Sequence, residues 1–376
     1  MDKEIMKNNA KGISGIVRTA VMLIAVIVLL TGCGSSADID YPEGVETYTY
    51  TDDYGREVEL RKDISRIVAS GPNAQMVLVT LAPEMMVGLA EAPSRAQQPY
   101  FPDYYIDLPT LGQFYGKKMS LNLENLMETG TDIIIDVGEI QEEGNEDMDG
   151  IQKKTGIATI YIEASPETYP DAYRKLGKIL GKEERAEKLA AYCEETLRRA
   201  EAIKGSLSDD DVKSVLFGVS STGLNCNVSG SVQARVIELI GAKNAIQVGE
   251  EEVNGRDGGN PVDLEAVYSA DPDVIVLAYG GPYEKLSNKD SQWRELRAVK
   301  EGKYYEIPGR PYSWMSAPPS INQILGARWL MGVVYPELYE GDVYEDAKEF
   351  YKLFWDYDLT DEEAEEMLRN SAGKIN

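Results

Sequence analysis

The chain of 376 residues has no histidine. That absence removes the Ser-His-Asp and Cys-His catalytic devices, the histidine-bearing zinc sites and the usual general base of neutral pH. Cysteine is nearly as scarce. Of its three copies, Cys33 closes an N-terminal apolar run, Cys193 falls on the apolar face of a helical pattern and Cys226 stands alone among Gly, Asn and Ser. Neither a disulfide framework nor a CxxC metal site is written in such spacing. Cys193 reads as a small core hydrophobe, and Cys226 as an inert loop thiol or one close to a ligand. Positive charge is also short, since 38 Lys and Arg against 64 Asp and Glu leave a formal net charge of −26. A field of that sign repels phosphate backbones, and with no basic run to offset it nucleic acid is a poor partner.

Long apolar runs are missing too. The longest, Thr19 to Leu30, is too short for a comfortable membrane span, and it follows a basic segment holding Lys3, Lys7, Lys11 and Arg18. Residues 1–32 therefore read as a signal peptide that ends at Leu30-Thr31-Gly32-Cys33. They hold four basic and two acidic side chains, so their removal takes the net charge from −26 to −28. Residues 33–46 are a polar tether.

What the chain does contain is one unit written twice. Leu121 to Asp136 and Val262 to Leu277 share a plan: a short polar residue at an N-cap (Asn122, Asp263), a glutamate two positions on (Glu124, Glu265), then Thr-Asp or Pro-Asp and a β-branched run. The runs Ile133 to Ile135 and Val274 to Val276 predict strands buried on both faces of parallel sheets. Upstream, Arg66 to Ser70 and Ser214 to Val219 repeat the strand, and Ala74 to Leu81 and Val232 to Ile240 repeat the helix. The two glutamates are 141 residues apart, about one domain's length. The expected fold class is α/β, with two Rossmann-like lobes of parallel sheet.

The first lobe is expected over residues 47–168, opened by a hairpin around Asp52-Asp53-Tyr54-Gly55, with strands ending near Ser70, Ala90, Gly112, Val137 and Glu163. Residues 169–206 connect the lobes. Within them, apolar residues at 186, 189, 190, 193, 197, 200 and 203 predict one helix over Glu183 to Lys204, about 33 Å long and able to strut the lobes against large movement. The second lobe is expected over residues 207–376, with strands ending near Val219, Val248, Ala278 and Pro308. Its acidic tail predicts helices over Tyr344 to Trp355 and Asp361 to Leu368, the latter started by a Thr360 to Glu363 capping pattern, and covers the second lobe.

Taken together, the Leu30 to Cys33 box, the Thr51 to Val58 hairpin, Arg66-Ile-Val, the twin Leu-rich helix starts, the long connecting helix and the stretch Pro318 to Leu330 resemble the solute-binding lipoproteins of ABC importers. The subclass is the iron-chelate and vitamin B12 type, in which one helix joins two lobes (class III). The resemblance spans essentially the whole chain after Cys33. It implies cleavage before Cys33 and acylation of that residue, which anchors the protein in the cell membrane on its extracytoplasmic face. It also implies that Glu124 and Glu265 dock onto basic residues of a permease coupled to its ATPase. The protein is expected to work as a monomer and to need no cofactor.

In open α/β sheets ligands bind beyond the carboxyl ends of strands, so the loops there are the candidate ligand site. The first lobe contributes Ser70, Asn73, Gln75, Arg95, Tyr115, Lys117 and Lys118. The second contributes Asn225, Asn227, Arg256, Tyr279, Arg310, Tyr312 and Trp314. Guanidinium and ammonium groups suit carboxylate, catecholate, phosphate or oxyanion ligands, and aromatic rings give flat walls to a bulky one. The first reading is a receptor that captures a ferric siderophore between its lobes and performs no covalent chemistry. Missing histidine argues against bare zinc or manganese and against histidine-ligated haem. Tyrosine-ligated haem, a corrinoid, and an oxyanion such as molybdate or tungstate stay open. A reading of another class is a lipid-anchored enzyme using a carboxylate pair drawn from Glu139, Glu142, Glu163 and Asp257, since paired carboxylates do acid-base work without histidine. An adhesion or scaffold lipoprotein is the third.

Overall fold

The computed structural model describes residues 39–142, 144–253 and 258–372, so the leader, Cys33, Arg256 and Asp257 lie outside the described residues. A hairpin of β1 (Thr47–Thr51) and β2 (Glu57–Arg61) opens the chain, with Thr51 opposite Glu57. Its turn is tied inward. The buried Asp52 accepts from the backbone N–H of Tyr54 and Arg56 and of Tyr161, and pairs with the Arg56 guanidinium at 3.0 Å.

The first lobe follows with β3 (Ile67–Ala69), α1 (Pro72–Leu81), α2 (Leu123–Glu128), β4 (Ile133–Gly138), α3 (Gly144–Thr155) and β5 (Ala158–Glu163). The three strands form a parallel sheet in the order β3-β4-β5. Ile133, Ile134 and Ile135 are completely buried, as an unbroken β-branched run between two helical layers requires. The strands expected near Ala90 and Gly112 shrink to single parallel bridges, Ile67 with Met86 and Leu89 with Thr110. Turn residues crowd these stretches, and too few residues lie between the turns to extend a ladder.

Two helices, α4 (Tyr169–Leu180) and α5 (Glu183–Ser206), carry the chain across. The 24 residues of α5 bury Ala186, Leu189, Ala190, Cys193, Ala200 and Ile203 along one stripe. This stripe packs on α1 of the first lobe and on helices of the second.

The second lobe is built from β6 (Ser214–Val219), β7 (Asn225–Cys226), α6 (Arg235–Leu239), β8 (Lys243–Asn244), β9 (Asn260–Pro261), α7 (Leu264–Ala270), β10 (Val274–Leu277) and β11 (Tyr304–Glu306). Its sheet runs β11-β10-β6-β7-β9, with β8 also on β6. The β6, β8, β10 and β11 pairings are parallel, and β7 is antiparallel to both neighbours. The strand expected to end near Val248 is only the two-residue β8.

The internal repeat is physical. Asn122 accepts from Asn125 N–H and Asp263 from Ala266 N–H, capping α2 and α7 in the same way. The aspartates that stop those helices do one job twice: Asp132 accepts from the N–H of Ser65 and Arg66 (both 2.9 Å), and Asp273 from Ser214 N–H (2.8 Å). Each carboxylate thereby fastens the start of the neighbouring parallel strand.

The chain closes with α8 (Asn322–Val334), α9 (Val343–Trp355) and α10 (Asp361–Leu368), the last begun by a capping box between Thr360 and Glu363. The tail does more than cover the second lobe, because α9 packs against α1 of the first lobe as well as against α5 and α8. Within α8, a Cβ on Gly326 would lie 2.1 Å from the Trp314 carbonyl oxygen. Gly326→Ala is therefore expected to lower the unfolding free energy by about 1–3 kcal/mol, seen as a lower urea midpoint.

Both described cysteines are buried. Burial pushes the Cys226 thiol up to about 12, and its sulfur faces the Gly223 carbonyl at 3.8 Å. That is the inert-thiol reading.

Candidate functional site

The carboxyl ends of the strands in both lobes point to one seam. On the second-lobe side, β10 runs out into Tyr279 and β11 into Gly309 and Arg310. Gly309 is required there: an added Cβ would sit 2.5 Å from the Tyr279 ring. With the ring against this backbone, the Tyr279 hydroxyl bonds the Arg310 guanidinium and keeps the arginine pKa above its ordinary value. Across from them stands Tyr100 of the first lobe, whose ring meets that of Tyr357 at 4.8 Å. Together Tyr100, Tyr279, Arg310 and Tyr357 wall a cavity of about 370 Å³, and Ala96 and Pro99 complete the first-lobe rim. That volume is in the range of small-molecule sites.

The remaining wall comes from the tail and β11. Glu363 accepts from the Tyr357 hydroxyl at 2.5 Å, and this bond, with the capping box, holds the glutamate below the usual carboxylate range. Glu366 lies 3.7 Å from Arg310. Glu306 accepts from Gly280 N–H (2.9 Å) and from the Asn370 amide (3.2 Å). The tail, which carries no readable chemistry in the sequence, thus supplies a large share of the cavity.

Further along the seam the lobes touch directly. Arg235 at the start of α6 pairs with Glu139 just beyond β4 and reaches Glu167 at 3.8 Å. Ser320 donates to the Asn73 carbonyl at 3.0 Å. Beneath the first-lobe side, Asp136 within β4 is buried and accepts from Ser70 Oγ (2.5 Å), Tyr115 Oη (2.6 Å) and Val137 N–H (2.9 Å). Burial raises its pKa despite these donors.

Set against these positions, the residues picked from sequence divide. Tyr279 and Arg310 come together in the cavity wall, and exposed Arg95 adjoins the lining residue Ala96. Asn73 is exposed at the seam, and Lys117 and Lys118 occupy an exposed turn outside the cavity lining. Ser70 and Tyr115 turn their hydroxyls to Asp136. Gln75 is buried and clamps Ala90 N–H, Glu91 N–H and the Glu91 carbonyl. Asn225 sits in β7 opposite Val219 and Pro261, and Asn227 is buried next to it. Tyr312 packs on Phe101 and Trp355. Trp314, expected at the cleft from its loop composition, is 2% exposed, with its indole N–H toward Tyr351 at 3.4 Å. Its loop dives inward because Gly326 leaves room for its backbone.

Of the carboxylates considered for acid-base work, Glu139 is engaged by Arg235, Glu163 accepts from Thr168 at 3.3 Å and Glu142 is exposed on a turn. Glu124 and Glu265 occupy the same second position of α2 and α7, and both are exposed. Sequence reasoning missed Tyr100, Tyr357, Glu363, Glu366 and Asp136. The signal for the tail residues is their aromatic and acidic density, expected only as a cover for the second lobe.

The model of the periplasmic binding protein family matches residues 69–311, nearly two thirds of the chain. The chain belongs to this family. The lipoprotein YhfQ of Bacillus subtilis, assigned by name to ABC transporter substrate binding, is 26% identical to this periplasmic binding protein over 178 residues, covering 45% of the present chain. The match spans 54% of that relative, about half its length. An ABC transporter solute binding protein from Sulfurospirillum deleyianum superposes with a TM-score of 0.78 at 24% identity, over 85% of this chain and 99% of its own. The molybdate periplasmic binding protein of Haemophilus influenzae, solved with molybdate bound, superposes with a TM-score of 0.63 at 18% identity, over 83% of this chain and 99% of its own. These likenesses establish the fold of two α/β lobes with parallel sheets. Among the described residues, no helix is long and apolar enough to cross a membrane.

Proposed function

We propose that this periplasmic binding protein is the extracytoplasmic substrate-binding lipoprotein of an ABC importer, and that it captures a ferric siderophore and hands it to a permease and its ATPase. The observation that carries the reading is the cavity of about 370 Å³ at the strand ends, whose lining includes three tyrosines and two arginines. Its size exceeds what a bare tetrahedral oxyanion fills, and flat phenol rings suit a bulky chelate. In this reading residues 1–32 are the leader, Cys33 carries the lipid, residues 33–46 are the tether, and 47–168 and 207–376 are lobes joined by 169–206. The monomer presents Glu124 and Glu265 to the permease.

Thermal unfolding of the protein in mild detergent tests this, with ferric siderophores, haemin, cobalamin, molybdate and tungstate added in turn. A ligand at a hundred times its dissociation constant adds about 2.7 kcal/mol of stability. A selective rise in Tm with a ferric siderophore, with the chelate recovered chemically unchanged, is the expected result. A rise only with molybdate, cobalamin or haemin would reassign the cargo. Recovery of an altered compound would overturn the transport reading in favour of an enzyme.

A further inference from the structure

The cavity is not a basic pocket. Its lining carries three carboxylates, on Glu306, Glu363 and Glu366, against two guanidiniums, on Arg310 and Arg369. One of those cations is already engaged, since Arg310 has the Tyr279 hydroxyl and Glu366 beside it. The wider field has the same sign: the chain carries a formal charge of −26. A ligand bearing several negative charges would therefore be brought against a lining surplus of like charge, with exposed Arg369, and Arg95 beside the rim, as the cations left to offset it. The phenol rings of Tyr100, Tyr279 and Tyr357 attract a ligand through area and through cation–π contact, and neither needs an anion.

We infer that this site selects neutral or cationic iron(III) chelates, of which trihydroxamates are the chemical type, and turns away the triply negative tris-catecholates, with Glu363 and Glu366 of the tail as the specificity-determining residues. The inference rests on the siderophore reading above and names its ligand class. It also gives α10 a task. Tyr100 of the first lobe reaches Tyr357 and Tyr351 of the tail, at 4.8 and 5.8 Å between ring centroids, and the tail lines the cavity with Tyr357, Glu363 and Glu366. A ligand seated against Tyr279 and Arg310 meets the two tail carboxylates next.

The test measures dissociation constants by quenching of intrinsic fluorescence, on the full-length protein and on the Glu363→Gln and Glu366→Gln variants. The probes are a linear iron(III) trihydroxamate bearing a free ammonium, a neutral cyclic iron(III) trihydroxamate and a tripodal iron(III) tris-catecholate. Glutamine keeps the hydrogen bonds of the capping box, and Glu366 is exposed on its helix, so both variants fold. The expected order is ammonium-bearing trihydroxamate tightest and tris-catecholate weakest, by at least about a hundredfold. Each glutamine variant should narrow that gap about three- to tenfold at low salt and less in 0.5 M salt, where exposed charges are screened to about 4 Å. Tris-catecholate binding as tight as trihydroxamate binding would overturn the inference and leave the siderophore reading standing. So would a preference that neither variant moves. Failure of all three iron probes beside a Tm rise with another compound would overturn the siderophore reading itself.

Discussion

Arg328→Ala is expected to lower the unfolding free energy by about 3–5 kcal/mol, more than Gly326→Ala. Arg328 projects from α8 with only 1% of its side chain exposed. Its guanidinium lies 3.6 Å over the Tyr192 ring, donates to Asp346 at 2.7 Å and to Thr196 Oγ1 at 2.8 Å, and reaches Glu349 at 3.2 Å. Three helices, α5, α8 and α9, meet on this one side chain. Truncation would leave Asp346 buried with Arg199, at 3.1 Å, and the Tyr339 hydroxyl as its remaining partners. Desolvation of a carboxylate deprived of its main counter-charge accounts for the size of the loss. Arg328→Lys should recover less than half of it, because an ammonium cannot serve Thr196 and Asp346 from one planar fork. Urea unfolding checks both. The Arg328→Ala/Asp346→Ala double variant should lose markedly less than the sum of the singles. A single-variant loss below about 1 kcal/mol would remove Arg328 from the centre of this helical layer.

The second large effect is on transport. With Glu124 and Glu265 both changed to lysine, uptake of the cognate ligand by cells should fall to background while ligand affinity stays within about twofold. Each glutamate is exposed at the second position of a short capped helix, and neither lines the cavity. Their environments are equivalent because the helices are copies within the repeat, so a receptor surface with a matched pair of cations would engage both. Reversing two interfacial charges replaces attraction by repulsion at both ends of the contact, a change of several kcal/mol. The fold tolerates it, since a lysine at a helix start forfeits only about 0.3–1 kcal/mol of dipole interaction at each site. Normal uptake by the double variant would remove these residues from permease docking, and loss of ligand binding together with uptake would point to a structural defect instead.

Much of this architecture was legible because it rests on local patterns. The run Ile133 to Ile135 could only be a doubly covered strand, Asn122 and Asp263 cap where the spacing places them, and α9 and α10 begin and end within a residue of their predicted limits. What stayed hidden depends on contacts between distant segments. Tyr100 and Tyr357 are 257 positions apart, so nothing local marks them as neighbours. Asp136 sits inside an apolar run, where a carboxylate reads as the strand's end rather than as the acceptor of two hydroxyls. Trp314 carried every loop signal and is nevertheless interior, because the deciding residue is Gly326, twelve positions away. For the site the pattern gave the strand ends, and with them Tyr279 and Arg310, but not the tail that closes the cavity.

A single cluster of buried side chains includes Ile133 and Ile135 of the first sheet, Val215 and Phe217 of the second, and Phe350 and Phe354 of the tail. Each lobe keeps a smaller apolar cluster of its own, around Ile134 in the first and Ile275 in the second, but the largest interior is shared between them. Neither half of the chain carries a complete set of covering helices, so cutting it between α5 and β6 would expose apolar surface on both fragments. Heat or denaturant should then take the molecule apart in one cooperative step. Evolutionary exchange of a lobe between relatives would have to carry its share of the tail along.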